Sequence, residues 1–190
     1  MTAAAVVAVV GRSGAGKTSL LERLLPALAA RGLRVGAVKH ASHGFLADRP
    51  GKDSHRIYES GARAVALVSC EQLATFTRLD GPNADEPSLA AALRALPPDL
   101  DLVLVEGFSW EPIPRIVVAR AGEAPAREHL ARGETLAILE GTPCPERRCS
   151  EFPGALVEEL ARAIQARVEA APPGGRAREP STAADESAFP

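Results

Sequence analysis

The chain opens on an unbroken apolar run, Ala3-Ala4-Ala5-Val6-Val7-Ala8-Val9-Val10, with no polar residue to give it a wet face. Such a run reads as a strand buried on both sides, as in parallel sheets covered by helices. The period then changes. Leu20, Leu21, Leu24, Leu25 and Leu28 recur at helical spacing and predict a helix over 17–31 with one broad apolar face. Pro26 falls inside it and should kink it or loosen its preceding turn, while Gly32 is placed to end it. Leu33 to Lys39 reads as a second strand. Asp53-Ser54 is expected to cap a short helix that runs to about Ser60 and stops at Gly61. Ala64 to Ser69 reads as a third strand, Ala74 to Leu79 as a further short one, and Gly81 to Pro87 as turn chemistry. Ser88 caps a helix that continues to Leu96 and is stopped by Pro97-Pro98. Leu102-Val103-Leu104-Val105 is the second strongly buried strand, Arg115 to Ala119 and Thr135 to Leu139 are others, and Phe152 to Glu169 is an amphipathic helix. Strands alternating with helices predict an α/β fold with a mostly parallel, doubly wound sheet flanked by helices.

Between the first strand and the first helix stands Gly11-Arg12-Ser13-Gly14-Ala15-Gly16-Lys17-Thr18, a complete phosphate-binding loop. Strand, glycine-rich turn and helix N-terminus together aim backbone N–H groups and the positive helix end at a polyphosphate. The fold class therefore narrows to a P-loop NTPase, and the expected ligand is a nucleoside triphosphate. Arg12, Ser13, Gly14, Ala15, Gly16, Lys17, Thr18 and Ser19 are the candidate phosphate-binding residues. Lys17 should reach the β- and γ-phosphates, and the Thr18 hydroxyl should ligate Mg²⁺.

Two carboxylates compete for a place near that metal. Asp101 opens its strand and Glu106 closes it, about 17 Å apart at the usual strand rise. Ligands of parallel sheets bind at the carboxyl ends of the strands, which selects Glu106 and leaves Asp101 as a solvated strand start. Glu106 can hold Mg²⁺ through a water or orient an attacking water. The stretch from His40 to Asp53 has no periodicity and carries His40, His43, Asp48, Lys52 and Asp53, with His55 just beyond. The second strand delivers it to the same edge, so Asp53 or Asp48 is expected to complete the metal shell. Lys17, Glu106 and Asp53 are thus the candidate catalytic groups, and Thr18, Glu106 and Asp53 the candidate metal ligands. The histidines match no common zinc spacing. Gly107 to Pro114 follows Glu106 and holds the lone tryptophan; Phe108 and Trp110 suit either a docking surface or, for Phe108, plain core packing.

Composition adds a few bounds. A net charge of −2 gives no footprint for nucleic acid or an anionic membrane. The opening apolar run lacks a basic leader, so a signal peptide is not expected and the protein reads as cytoplasmic. Only three lysines, Lys17, Lys39 and Lys52, stand against nineteen arginines, which marks them as positions where a compact ammonium is needed or as survivors of composition bias. Cys70 reads as a buried small hydrophobe, and Cys144 and Cys149 as part of a surface loop lacking the second pair of a metal site. Residues 1–170 read as one nucleotide-binding domain. Residues 171–190, rich in Pro, Gly, Ala, Ser and charge, read as a disordered tail.

Four elements taken in order resemble one known family, the molybdopterin-guanine dinucleotide biosynthesis adapters, MobB. They are the phosphate loop, the strand end Val38-Lys39-His40, the segment Arg49-Pro50-Gly51-Lys52-Asp53-Ser54, and Leu102 to Phe108 followed by Glu111-Pro112-Ile113-Pro114. The resemblance covers about the first two-thirds of the chain. It implies a GTP-binding protein with weak Mg²⁺-dependent hydrolysis, dimeric, assisting a MobA-type guanylyltransferase that joins GMP to molybdopterin. It also relates the chain to dimerising switches in which Arg12 would lie at a signature lysine position. No Asn-Lys-x-Asp or Thr-Lys-x-Asp guanine reader occurs, and no carboxylate near Leu139 to Pro143 is evidently placed for guanine. Two other classes stay open: a P-loop small-molecule kinase, which needs an arginine-rich lid, and a GTPase chaperone for metal insertion using Cys144, Cys149 or the loop histidines.

Overall fold

The computed structural model describes residues 4–46, 48–79, 88–143 and 150–170. Its elements, in chain order, are β1 (Ala5–Val10), α1 (Lys17–Ala29), β2 (Val35–Lys39), α2 (Asp53–Glu59), β3 (Ala64–Val68), β4 (Leu73–Thr77), α3 (Leu89–Arg94), β5 (Leu102–Glu106), β6 (Arg115–Arg120), α4 (Arg127–Leu130), β7 (Thr135–Pro143), β8 (Ser150–Glu151) and α5 (Gly154–Ala170).

The main sheet has the order β2-β5-β1-β6-β7-β8. Its first five strands run parallel, and only β8 is antiparallel, against the end of β7. β1 lies in the middle because Val7 to Val10 have no exposed face to offer. Alternate residues of β1 and β5 serve two cores. Val7, Val9, Leu102 and Leu104 pack with Leu20, Leu24 and Leu28 of α1 and with Leu160 and Ile164 of α5. Val103 and Val105 face the other way and pack with Leu89 of α3, Val38 and Phe108. Helices on both faces of a mostly parallel sheet are the doubly wound α/β arrangement of P-loop NTPases.

The local signals acted largely as their chemistry predicts. Pro26 sits inside α1, which ends at Ala29, and Gly32 turns the chain at φ 77°. The Ser88 hydroxyl accepts a hydrogen bond from the Ala91 N–H and caps α3. Two readings need correcting, and one placement the sequence left open is settled. Lys52, not Asp53 or Ser54, is the N-cap of α2, because the Ser54 hydroxyl instead donates to Asp48. β3 and β4 form a separate antiparallel pair and do not join the main sheet. A five-residue apolar run reports strand character but not which sheet the strand enters. Cys70 is exposed because it lies in the tight turn between β3 and β4, where the Ser69 N–H donates to the Gln72 carbonyl at 2.8 Å. Cys144, Cys149, the 81–87 turn and the 171–190 tail lie outside the described residues.

Candidate nucleotide site

Glycine is required in the loop by both torsion and space. At Gly11 a Cβ would stand 2.2 Å from the Val118 carbonyl oxygen of β6. Gly16 is the N-cap of α1 at φ 98°, and a Cβ there would meet Ser150 at 2.5 Å. Neither position admits a side chain without moving a neighbouring strand. β6 and β8 thus hold the loop from outside: the Arg120 guanidinium donates to the Ser13 carbonyl at 2.8 Å, and the Ser150 N–H donates to the Ser19 hydroxyl at 3.2 Å. Arg12 points outward to Glu123 at 3.7 Å, in the loop after β6.

The first turn of α1 carries no acidic residue, so nothing of its own charge competes for the positive helix end. Ala15 is buried within the loop. Lys17 folds back across the loop and donates to the Gly11 and Arg12 carbonyls at 3.0 and 2.9 Å. Its pKa is lowered chiefly by burial, with Glu106 opposing and Lys39 adding to the fall. A lysine held on two carbonyls of such a loop has the reach and charge to exchange them for phosphate oxygens.

The parallel register β1–β5–β2 sets the rest. Val9 pairs with Glu106, and Glu106 pairs with Lys39, so the loop after β1 and both side chains meet at one sheet edge. The Thr18 hydroxyl donates to Glu106 Oε2 at 2.9 Å. Lys39 Nζ lies 3.1 Å from Glu106 Oε1, 3.3 Å from Oε2 and 3.5 Å from Thr18 Oγ1. One hydroxyl and two carboxylate oxygens are hard donors of the kind Mg²⁺ takes, and a cationic nitrogen already lies among them. The residues present fit a small divalent cation. Asp101, at the opposite end of β5, is tied to Arg34 through that residue's N–H at 2.9 Å and its guanidinium. It is a clamp between β2 and β5 and not a solvated strand start.

The other acidic candidates have partners of their own. Asp53 is 93% exposed, in the first turn of α2, and pairs with Arg56 at 3.7 Å. No hydrogen bond or ion pair joins it to Thr18, Lys17 or Glu106 among the described residues. Asp48 is occupied locally: it accepts from Ser54 and from the Arg49 N–H at 2.6 Å, and the Ser54 bond chiefly lowers its pKa. Among the described residues no group of three His, Cys, Asp or Glu side chains could hold a metal. Reasoning from sequence underrated Lys39, whose signal was the scarcity of lysine, and missed Arg120, Arg115 and Ser150, which carry no motif.

The loop after Glu106 is strained and braced. Gly107 and Phe108 both take left-handed torsions, φ 94° and 49°, and Phe108 does so without glycine's freedom. Phe108 is buried, and its ring, that of Trp110 and that of His40 lie 5.1–5.3 Å apart. Arg115, fully buried, donates to the carbonyls of Ser109, Ile113, His129 and Glu111, which fixes the loop from beneath.

The family model described as molybdopterin guanine dinucleotide synthesis protein B, MobB, matches residues 6–140. The chain belongs to the MobB family. It is 43% identical over 119 residues to the molybdopterin-guanine dinucleotide biosynthesis adapter protein of Escherichia coli K12, spanning 62% of this chain and 67% of that one. The Haemophilus influenzae adapter protein is also 43% identical, over 60% of this chain and 63% of its own, so less than two thirds of that relative is spanned. Among solved structures, a molybdopterin-guanine biosynthesis protein B crystal structure superposes with a TM-score of 0.65 at 33% identity, covering 86% of this chain and 99% of that one. The MobB homologue from Bacillus stearothermophilus gives a TM-score of 0.53 at 28% identity, over 86% of this chain and 97% of its own.

Proposed function

We propose that this MobB chain is a GTP-binding adapter for making the guanine dinucleotide form of the molybdenum cofactor, with weak Mg²⁺-dependent hydrolysis, and that it serves a MobA-type guanylyltransferase. The observation that carries the nucleotide part is the 2.9 Å contact of Thr18 with Glu106 beside a loop whose Gly11 and Gly16 admit no side chain. The loop N–H groups from Ser13 to Ser19 would receive the phosphates, and Lys17 would leave its two carbonyls to bind the β- and γ-oxygens. Thr18 and Glu106 would hold Mg²⁺, which when bound supplies charge neutralisation at the phosphates. Glu106 also lies where a carboxylate can orient a water. Asp53 remains a proposed third participant, which would require the 40–52 segment to bring α2 inward when nucleotide binds. Base choice rests on family membership, and so does the adapter role.

The same reading includes a homodimer. Val68, Leu73 and Leu67 on β3 and β4 are exposed, and an isolated two-stranded sheet is marginal alone. A second copy is the natural cover for that apolar hairpin. An exposed free thiol at Cys70 suits a reducing compartment such as the cytoplasm. Among the described residues no helix is long and apolar enough to cross a membrane.

Calorimetric titration with GTP and ATP, each with Mg²⁺, followed by a hydrolysis assay, tests the reading. GTP preference, slow turnover and co-purification with a MobA-type enzyme are expected. ATP preference with fast transfer to a small acceptor would establish the kinase reading instead. Stoichiometric transition metal on the purified protein would establish the chaperone. Glu106→Ala should lower hydrolysis more than nucleotide binding.

A further inference from the structure

Lys39 has no place in the nucleotide chemistry described above, yet its ammonium occupies the centre of the candidate metal site. Its Nζ lies 3.1 and 3.3 Å from the two Glu106 oxygens and 3.5 Å from Thr18 Oγ1. These are the same oxygens that would bind the cation. The position is built by backbone register: Lys39 and Glu106 are direct partners on adjacent parallel strands, so their side chains leave the same face of the sheet. Glu106 is only 12% exposed, whereas the Lys39 side chain is 61% exposed and has water to withdraw into. The carboxylate is fixed and the cation on it can leave.

We infer that Lys39 is a tethered counter-ion that holds the metal position in the metal-free protein and must be displaced when a divalent cation enters. The inference rests on the triphosphate reading of the site. It has two physical consequences. Without metal, Lys39 neutralises a half-enclosed carboxylate that would otherwise repel an incoming polyphosphate. With metal, the ammonium opposes the cation, because two positive charges cannot share one carboxylate at contact distance. Lys39 therefore narrows the difference between metal-free and metal-bound affinity. The next residue, His40, stays in place through its N–H to the Glu106 carbonyl at 2.9 Å and its ring contacts with Phe108 and Trp110.

The test is a double-mutant cycle on the full chain with Lys39→Ala, Glu106→Gln and both changes. Affinity for GTP is measured in EDTA and across a Mg²⁺ titration. Lys39→Ala should weaken metal-free binding about fivefold and move the Mg²⁺ midpoint down by about fivefold, the upper end of what a partly exposed ion pair contributes. In the Glu106→Gln background both effects of Lys39→Ala should vanish. Unchanged metal-free affinity and midpoint in Lys39→Ala would overturn the inference, and so would a midpoint that moves upward, since Lys39 would then assist the metal. If the unsubstituted chain binds no triphosphate even with Mg²⁺, the reading of the site falls first. Binding with an unaltered Mg²⁺ dependence sinks the counter-ion alone.

Discussion

β1 and β3 are almost the same peptide in composition, Ala-Val-Val-Ala-Val-Val against Ala-Val-Ala-Leu-Val, and they have opposite fates. The last four residues of β1 are buried, while β3 buries only Val65. Nothing in either string decides this. β1 is enclosed because β5 and β6 flank it and helices cover both its faces; among the described residues β3 packs chiefly on β4 and the short α2. An apolar strand left open within its own chain is a surface that expects a cover. The first region supplies stability and a rigid edge for chemistry. The second supplies little stability and, in the proposed dimer, contact.

Equal truncations should expose that contrast most strongly. Leu104 is fully buried in β5, and Leu104→Ala should cost about 2–5 kcal/mol in chemical denaturation. Leu73 is 71% exposed in β4, and Leu73→Ala should change the same measurement by less than about 0.5 kcal/mol. Similar losses at both sites would mean that the hairpin belongs to the folding core after all. Next in size stands Arg115, which supports the chemical edge with hydrogen bonds where its neighbours use apolar contact. Arg115→Met leaves the carbonyls of Ser109, Glu111, Ile113 and His129 short of a donor, so about 2–3 kcal/mol should be lost. Trp110 fluorescence should shift with it, because the loop carrying Trp110 is the one released. A stability loss without that shift would place the role of Arg115 elsewhere.

How much of this was readable beforehand follows from the same two regions. Strand, loop and helix around Gly11 to Thr18 were legible because each carries a local signal: an apolar run, obligatory glycines and leucines at helical spacing. Glu106 was legible by topology, since a parallel strand delivers its last residue to the ligand edge. Lys39 was not, because its meeting with Glu106 depends on strand order, and β2 neighbours β5 although they are far apart in sequence. Asp53 was expected beside the metal because its loop leaves the correct edge, but a loop of that length does not fix where its far end lies. Cys70 was misplaced for the reason that separates β1 from β3. An apolar run before a cysteine does not reveal that the next residues turn back into solvent.

A smaller effect distinguishes the hairpin from the core in a third way. Val68→Glu with Leu73→Glu should weaken self-association at least about tenfold by sedimentation, on the expectation for charges placed in an apolar interface. The thermal transition of the separated chain should stay where it was. If the unsubstituted protein is monomeric at all concentrations, the proposed cover of β3 and β4 is wrong.

The smallest effect is one of pH, and it belongs to the core side. His129 is buried on α4, and its Nδ1 has no hydrogen-bond partner among the described residues. Burial lowers its pKa first; Lys17, Arg115 and Arg12 push the same way, and Glu128 opposes them. The folded protein therefore takes up a proton on His129 less readily than the unfolded chain does. As pH falls below the ordinary histidine value, the unfolded state binds the extra proton and stability drops, by at most about 1.4 kcal/mol per pH unit until the folded pKa is reached. Above that range both states are neutral and the residue contributes no slope. Denaturation midpoints between pH 7.5 and 5 should thus fall less steeply in His129→Gln than in the unsubstituted chain. The hairpin holds no buried histidine, so the slope should survive Val68→Glu with Leu73→Glu unchanged. A slope that disappears with the hairpin substitutions, and persists in His129→Gln, would assign the titration to the wrong half of the molecule.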